Sequence, residues 1–122
     1  MEIIESTFNY QNRSVFYKKF GKGKPMLILH GWGANGEVML PMATALKIKR
    51  TFYVIDFPGF GKSVEPEKPW SVGDYTGMVG QFIDEIIQEP VDIIAHSFGG
   101  RVTLKLCSEK RWANKVNKVI IT

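Results

Sequence analysis

The stretch that decides the fold is residues 90–102, which read PVDIIAHSFGGRV. Residues 91–95 form an apolar run that predicts a β-strand, and a helical pattern begins directly after Ser97. A strand-to-helix turn this tight forces its central residue into a strained backbone conformation and requires small neighbours, which Ala95 and Gly99 supply. We therefore expect the Ser97 hydroxyl to stand above the end of the strand, beside the first amides of the helix.

Strands and helices alternate along the rest of the chain. Two strand-like segments, residues 2–9 and 13–20, flank a short polar turn and predict an antiparallel hairpin. Further strands are predicted at residues 26–29, 51–55, 91–95 and 116–122, and helices at residues 37–49, 71–87 and 98–110. Continuous apolar strands are typical of parallel sheets that helices cover on both faces. The predicted fold class is therefore α/β: a three-layer sandwich with a mostly parallel sheet of about six strands, led by the antiparallel hairpin.

The composition is that of a globular domain. The chain has 122 residues, of which 44% are hydrophobic and 23% charged, enough for one domain with a buried core. No apolar run reaches the length of a membrane-spanning helix, and residues 1–5 lack the features of a signal peptide. A single cysteine, Cys107, excludes an internal disulfide. We expect a cytoplasmic protein. The net charge of +4 comes without a nucleic-acid-binding module, so we expect no nucleic-acid partner.

One glycine motif leaves a second interpretation open. Residues 31–36 (GWGANG) match the G-x-G-x-x-G pattern of dinucleotide-binding folds, and Asp56 ends the next predicted strand, where such folds place an acidic residue. Against this, the bulky polar His30 directly precedes the first glycine, and Ser97 would have no role. A dinucleotide-binding module is the less favoured alternative.

Three segments taken together resemble the α/β-hydrolase family. Residues 30–33 (HGWG) are similar to the H-G-x-G turn after the third strand of that family, and residues 56–63 (DFPGFGKS) to its D-x-P-G-x-G-x-S loop after the fourth. Residues 95–99 (AHSFG) resemble the nucleophile elbow after the fifth strand, with alanine in place of its first glycine. Three motifs in the right order are more specific than any one. Residues 30–38 also resemble carboxylesterases that cleave pimeloyl carrier-protein methyl esters.

The resemblance implies a serine hydrolase acting on small-molecule acyl esters through an acyl-enzyme. On this sequence it implies Ser97 as the nucleophile and the backbone amides of Trp32 and Phe98 as the oxyanion hole. It also implies a substrate pocket formed by His30, Gly31, Trp32 and Phe98. We expect His30 to brace its loop rather than to act as a base. The resemblance implies no cofactor and no metal ion.

The resemblance stops before the catalytic acid and histidine of the family, which follow the serine. The two histidines here both precede Ser97. We therefore expect residues 1–122 to be a single truncated hydrolase domain, without the cap, the last strands and the C-terminal catalytic elements, and to be inactive in this form. A naturally short, non-catalytic binding or scaffold chain is the alternative. Residues 116–122 would form an exposed apolar edge strand beside an uncovered sheet face, which predicts a homo-oligomer.

Overall fold

The computed structural model describes residues 2–122 and contains a six-stranded sheet. The strands are β1 (Ile4–Tyr10), β2 (Arg13–Gly21), β3 (Lys24–Leu29), β4 (Arg50–Ile55), β5 (Val91–Ala95) and β6 (Val116–Ile121). Their order across the sheet is β1-β2-β4-β3-β5-β6. The pairs β1–β2 and β2–β4 are antiparallel, and β4–β3, β3–β5 and β5–β6 are parallel. The predicted hairpin followed by a mostly parallel sheet is confirmed.

Helices cover both faces of the sheet. They are α1 (Leu40–Ala45), α2 (Val72–Phe82) and α3 (Phe98–Ser108), and 3₁₀ turns lie at Gly36–Met39 and Ala113–Lys115. Successive residues of a strand point to opposite faces. Leu27 and Leu29 of β3 accordingly belong to the core that contains residues of α2 and α3, whereas Met26 and Ile28 belong to the core that contains Ala43 of α1. The three-layer arrangement is therefore confirmed.

A two-residue turn joins the first two strands. Tyr10 pairs with Arg13, and the intervening Gln11 and Asn12 have φ of 51° and 63°. Two successive positive φ angles are the mark of a type I′ turn, whose twist matches that of the flanking strands. The turn thus explains why the hairpin is regular over its whole length.

The helix predicted over residues 37–49 is wrong in extent. A 3₁₀ turn begins it, with the Asn35 side chain accepting from the Val38 N–H at 3.3 Å, and the α-helical part ends at Ala45. Lys47 then adopts a φ of 49°, which turns the chain toward β4. Two of the apolar residues that suggested a longer helix do not pack inward: Val38 and Leu46 are 63% and 38% exposed.

Helix α2 begins as its sequence predicts. The Ser71 hydroxyl accepts from the Asp74 N–H at 3.2 Å, and the Asp74 carboxylate accepts from the Ser71 N–H at 2.8 Å, which completes a capping box. After Phe82 the helix widens into a π-helical turn, Ile83–Ile87, and ends at Gln88 with a φ of 65°. The predicted continuous helix to residue 87 is therefore helical throughout but not uniformly α.

Strand β6 lies at one edge of the sheet, beside β5. The pairing of the two strands is irregular between Val91 and Ile93, where the Asp92 carboxylate accepts from the Lys118 N–H at 3.1 Å. Ile120 and Ile121 are 57% and 45% exposed. The exposed apolar edge that the sequence predicts is therefore present in the structure.

Within residues 2–122, none of the helices has the length and apolar character needed to cross a bilayer.

Candidate active site

The turn around Ser97 is strained in the way its sequence predicts. Ser97 connects β5 to α3 with φ 52° and ψ −113°, a region that non-glycine residues enter at a cost of about 1–3 kcal/mol. The following turn of helix lies directly against the sheet. A Cβ on Gly99 would approach the carbonyl oxygens of Leu29 and His30 to 2.7 and 2.8 Å. Glycine at position 99 is therefore required for α3 to start where it does.

The Ser97 side chain opens onto a groove. The residue is exposed, and its hydroxyl makes no capping hydrogen bond to the helix that follows. The groove has a volume of about 490 Å³ and is lined by Trp32, Trp70, Ser71, Val72, Ser97, Phe98 and Arg101. The first amides of α3 point toward this end of the helix, where the helix dipole favours negative charge. The groove could therefore hold an acyl group against the serine.

The loop after β3 lies beside Ser97 because β3 and β5 are neighbouring parallel strands. Leu29 pairs with Ala95, and the His96 N–H donates to the Leu29 carbonyl at 3.0 Å. A Cβ on Gly31 would lie 3.4 Å from the Ser97 Cβ. The structure thus brings the H-G-x-G turn into contact with the elbow.

The backbone amides of Trp32 and Phe98 have no hydrogen-bond acceptor within residues 2–122. Trp32 lies in the turn after β3, and Phe98 is the first residue of α3. Free amides at the ends of two adjacent strands are the donors that a developing oxyanion requires.

Aromatic side chains form the walls of the groove. Trp32 is 62% exposed and packs edge-on against Phe98 and Phe60, with ring centroids 5.0 and 4.7 Å apart. On the other side of Trp32 and Trp70 lies a second cavity of about 370 Å³, built mainly from proline and aromatic residues of the loop between β4 and α2. Trp32 and Phe98 therefore both line the groove beside Ser97.

His30 and Gly31 lie below the groove rather than in its lining. His30 is fully buried, its Nε2 accepts from the Phe57 N–H at 2.9 Å, and its Nδ1 donates to the Gly31 carbonyl at 2.7 Å. Burial lowers the pKa of His30, and the bond to Gly31 and the Asp56 charge oppose this only in part. Both ring nitrogens are occupied by backbone groups, so His30 joins two loops and is not available as a base for Ser97.

The other histidine also has a partner away from the groove. His96 is exposed, and its Nδ1 lies 2.9 Å from the Thr122 hydroxyl, just beyond β6. The Ser97 N–H donates to the Thr122 carbonyl at 3.3 Å on the same side. Neither of the two histidines of the chain is therefore placed to take a proton from the Ser97 hydroxyl.

Asp56 organises the two glycine loops. One carboxylate oxygen accepts from the Gly36 N–H at 2.7 Å and the other from the Lys62 N–H at 2.9 Å. A Cβ on Gly61 would overlap the same carboxylate. This arrangement does not fit dinucleotide binding, because the Gly36 amide is already occupied, Asp56 is buried, and a 3₁₀ turn rather than the first turn of an α-helix directly follows the glycines.

Sequence reasoning missed four residues of the groove. Trp70, Ser71 and Val72 arrive from the start of α2, and only the tertiary fold brings that helix end to the elbow. Arg101 has a signal in the sequence, since it follows Ser97 by four residues and therefore by one helical turn.

The sequence and the fold of this chain are similar to those of known proteins. The family model for the alpha/beta hydrolase fold matches residues 24–122. A pimeloyl-[acyl-carrier protein] methyl ester esterase of Aeromonas hydrophila subsp. hydrophila is 33% identical over 98 residues, covering 76% of this chain and 35% of the relative. The enzyme of the same name from Shewanella woodyi is 35% identical over 92 residues, covering 75% of this chain and 33% of the relative. The chain thus spans about a third of the length of these relatives.

Solved structures share the fold at lower sequence identity. An esterase from Exiguobacterium antarcticum superposes with a TM-score of 0.89 at 21% identity, over 98% of this chain and 45% of that one. An epoxide hydrolase from Vigna radiata superposes with a TM-score of 0.90 at 22% identity, over 98% of this chain and 38% of that one. At these identities the likeness establishes the fold alone.

Proposed function

Since this chain belongs to the α/β-hydrolase fold family, we propose that it carries the nucleophile and oxyanion hole of a carboxylesterase site, with Ser97 as the nucleophile. The observation that carries the proposal is the backbone of Ser97. A non-glycine residue held at φ 52°, exposed at the mouth of a groove, is strain that a merely structural turn would avoid with glycine. The strain lifts the hydroxyl clear of the strand end and toward a bound ester.

The reaction forms an acyl-enzyme. Ser97 Oγ attacks the ester carbonyl carbon, a C–O bond forms, and the carbonyl π electrons move to the oxygen, which becomes an oxyanion. The amides of Trp32 and Phe98 donate to that oxyanion, and one such donor contributes about 10²–10³ in rate. The oxyanion then collapses and the ester C–O bond breaks. The serine hydroxyl loses its proton to a base, and that base returns a proton to the departing alkoxide, which leaves as the alcohol. Water attacks the acyl-enzyme in the same way, which releases the acid and restores the serine.

The serine proton needs an acceptor that neither histidine of the chain supplies. His30 is engaged at both ring nitrogens, and His96 bonds to Thr122. An unassisted serine hydroxyl is a weak nucleophile at neutral pH. We therefore expect residues 1–122 alone to react slowly and to be accelerated by a base added to the solution.

The substrate is a small-molecule acyl ester. The groove is apolar on the walls formed by Trp32, Trp70 and Phe98, which suits the methylene chain of an acyl group. The relatives named above are esterases of a pimeloyl carrier-protein methyl ester, an acyl chain of this general kind. The supporting features are the apolar lining and the position of Ser97 within it.

Labelling with an alkyl fluorophosphonate tests the role of Ser97. The Ser97 Oγ–P bond forms, the P–F bond breaks, fluoride leaves, and the hydroxyl proton passes to the buffer base. We expect slow labelling at Ser97, identified by peptide mass spectrometry, that increases with the concentration of added imidazole. Ser97→Ala should abolish it, whereas Ser108→Ala, an exposed serine on the same helix, should leave it unchanged. Labelling of Ser97 no faster than of Ser108 would refute the proposal.

We also propose that β6 mediates self-association. Its outer edge has no strand partner within residues 2–122, and Ile120 and Ile121 are 57% and 45% exposed. An unpaired apolar edge is a template for pairing with the same edge of a second copy. If the chain is a non-catalytic scaffold instead of an esterase, this strand edge is the surface through which it would bind a second copy.

A further inference from the structure

The groove beside Ser97 contains one charged side chain. Of its seven lining residues, four are aromatic or aliphatic and two are serines, and the seventh is Arg101. Arg101 follows Ser97 by one turn of α3, and its backbone N–H donates to the Ser97 carbonyl at 3.3 Å. Arg101 is exposed, so its guanidinium is accessible from the groove. The site therefore presents a positive charge to whatever occupies it.

The charged side chains near Arg101 pair with residues other than Arg101. Within residues 2–122, no carboxylate lies within ion-pair distance of Arg101, whereas the next cation along the helix, Lys105, pairs with Glu109 at 3.3 Å. Asp74, at the start of α2, accepts from both the amide and the hydroxyl of Ser71, at 2.8 and 3.1 Å. Asp74 forms no ion pair with Arg101. The Arg101 guanidinium is therefore available to bind an added anion.

The size of the groove limits where that anion can be. Ser97 and Arg101 both line the same groove of about 490 Å³. An ester carbonyl at Ser97 and an anion at Arg101 are therefore separated by only a short chain. A carboxylate is the anion whose two oxygens match the paired N–H groups of guanidinium.

We infer that Arg101 binds a carboxylate on the acyl portion of the substrate, so that the site prefers half-esters of short dicarboxylic acids to neutral acyl esters. The inference rests on the proposed function, because it places the ester carbonyl at Ser97. The apolar walls hold the methylene chain between the two ends. Arg101 acts here as a specificity-determining residue and takes no part in bond making.

Binding of unreactive amide analogues tests the inference separately from the chemistry. N-butylglutaramic acid carries the carboxylate, and N-butylpentanamide is the neutral ligand of equal acyl length. Trp32 and Trp70 line the groove, so tryptophan fluorescence reports binding of both. We expect the acid to bind about three- to fivefold more tightly than the neutral amide, the range for an exposed ion pair, with the preference shrinking in 0.5 M NaCl.

Substitutions on one helix face provide the controls. Arg101→Gln should reduce the preference for the acid to none, and Arg101→Lys should keep part of it. Lys105→Gln, which removes a paired cation one turn further along, should leave the preference unchanged. Three results would each overturn the inference: no preference for the acid in the parent chain, a preference that survives Arg101→Gln, or a preference that Lys105→Gln abolishes as fully as Arg101→Gln does.

The same series separates this inference from the proposed function. Ser97→Ala should retain the preference for the acid, because binding of the amides requires no nucleophile. If the fluorophosphonate fails to label Ser97 while the Arg101-dependent preference persists, the esterase proposal fails and the anion subsite stands. If the fluorophosphonate labels Ser97 and the preference does not depend on Arg101, the esterase proposal stands and the anion subsite fails.

Discussion

Replacement of Gly99 by alanine tests how closely α3 must approach the sheet for the site to form. The new Cβ would lie 2.7 and 2.8 Å from the Leu29 and His30 carbonyl oxygens, about 0.7 Å short of ordinary contact. Neither oxygen can move cheaply, because both belong to the backbone at the end of a central strand. Helix α3 must therefore shift outward. Overpacking of this kind costs about 1–3 kcal/mol, less the roughly 0.5–1 kcal/mol by which alanine outperforms glycine within a helix.

The outward shift also moves the Phe98 amide, which is one residue before Gly99. Misplacement of a catalytic group by about 1 Å costs about 10²-fold in rate, so we expect a loss of about tenfold or more in fluorophosphonate labelling of Ser97. Urea unfolding followed by circular dichroism gives the loss of stability, and mass spectrometry gives the labelling rate. Gly73→Ala is the matched control, since its Cβ would meet the flexible end of Lys105 at 3.4 Å and the Ser71 hydroxyl at 3.5 Å, which are ordinary van der Waals contacts. A Gly99→Ala variant with full stability and full labelling would refute the close approach described here.

Two further predictions concern His30 and the sheet edge. Burial lowers the pKa of His30 below its ordinary value of 6.5, so the unfolded chain binds a proton that the folded chain does not. The free energy of unfolding should be highest above about pH 6.5. It should decrease as the pH drops below that value, by up to about 1.4 kcal/mol per pH unit. In urea unfolding between pH 8 and pH 5, His30→Gln should remove this dependence and His96→Gln should preserve it; equal slopes in the two variants would contradict the assignment. Ile120→Lys should convert a self-associating chain to a monomer in analytical ultracentrifugation, while Leu104→Lys, at an equally exposed site on α3, should not. A monomeric parent chain at micromolar concentration would remove the basis for pairing through β6.

Much of the fold could be predicted because the signals are local. The hairpin follows from two alternating segments around Gln11 and Asn12, and the start of α2 from the spacing of Ser71 and Asp74. The strained turn at Ser97 follows from a strand that meets a helix with small residues on either side. In each case the residues that determine the conformation lie within about five positions of one another, so a linear pattern contains the interaction.

The extent of the first helix could not be predicted in the same way. Val38 and Leu46 have helical spacing, but the structure leaves both exposed. A periodic pattern records which residues could share a face and not whether another element covers that face. Helix α1 ends at Ala45 because the chain must turn back to the sheet to begin β4 at Arg50.

The sequence by itself determined the order of strands and helices, the three loop motifs and the serine at the elbow. The tertiary structure alone decided the strand order, which inserts β4 between β2 and β3 and places β3 beside β5. That adjacency joins the turn containing Trp32 to the turn containing Ser97, and the docking of α2 adds Trp70 to the same groove. The physical reason is that a site of this kind is made at the carboxyl ends of neighbouring parallel strands. Residues more than sixty positions apart meet there through sheet pairing, and no local pattern encodes which strands pair.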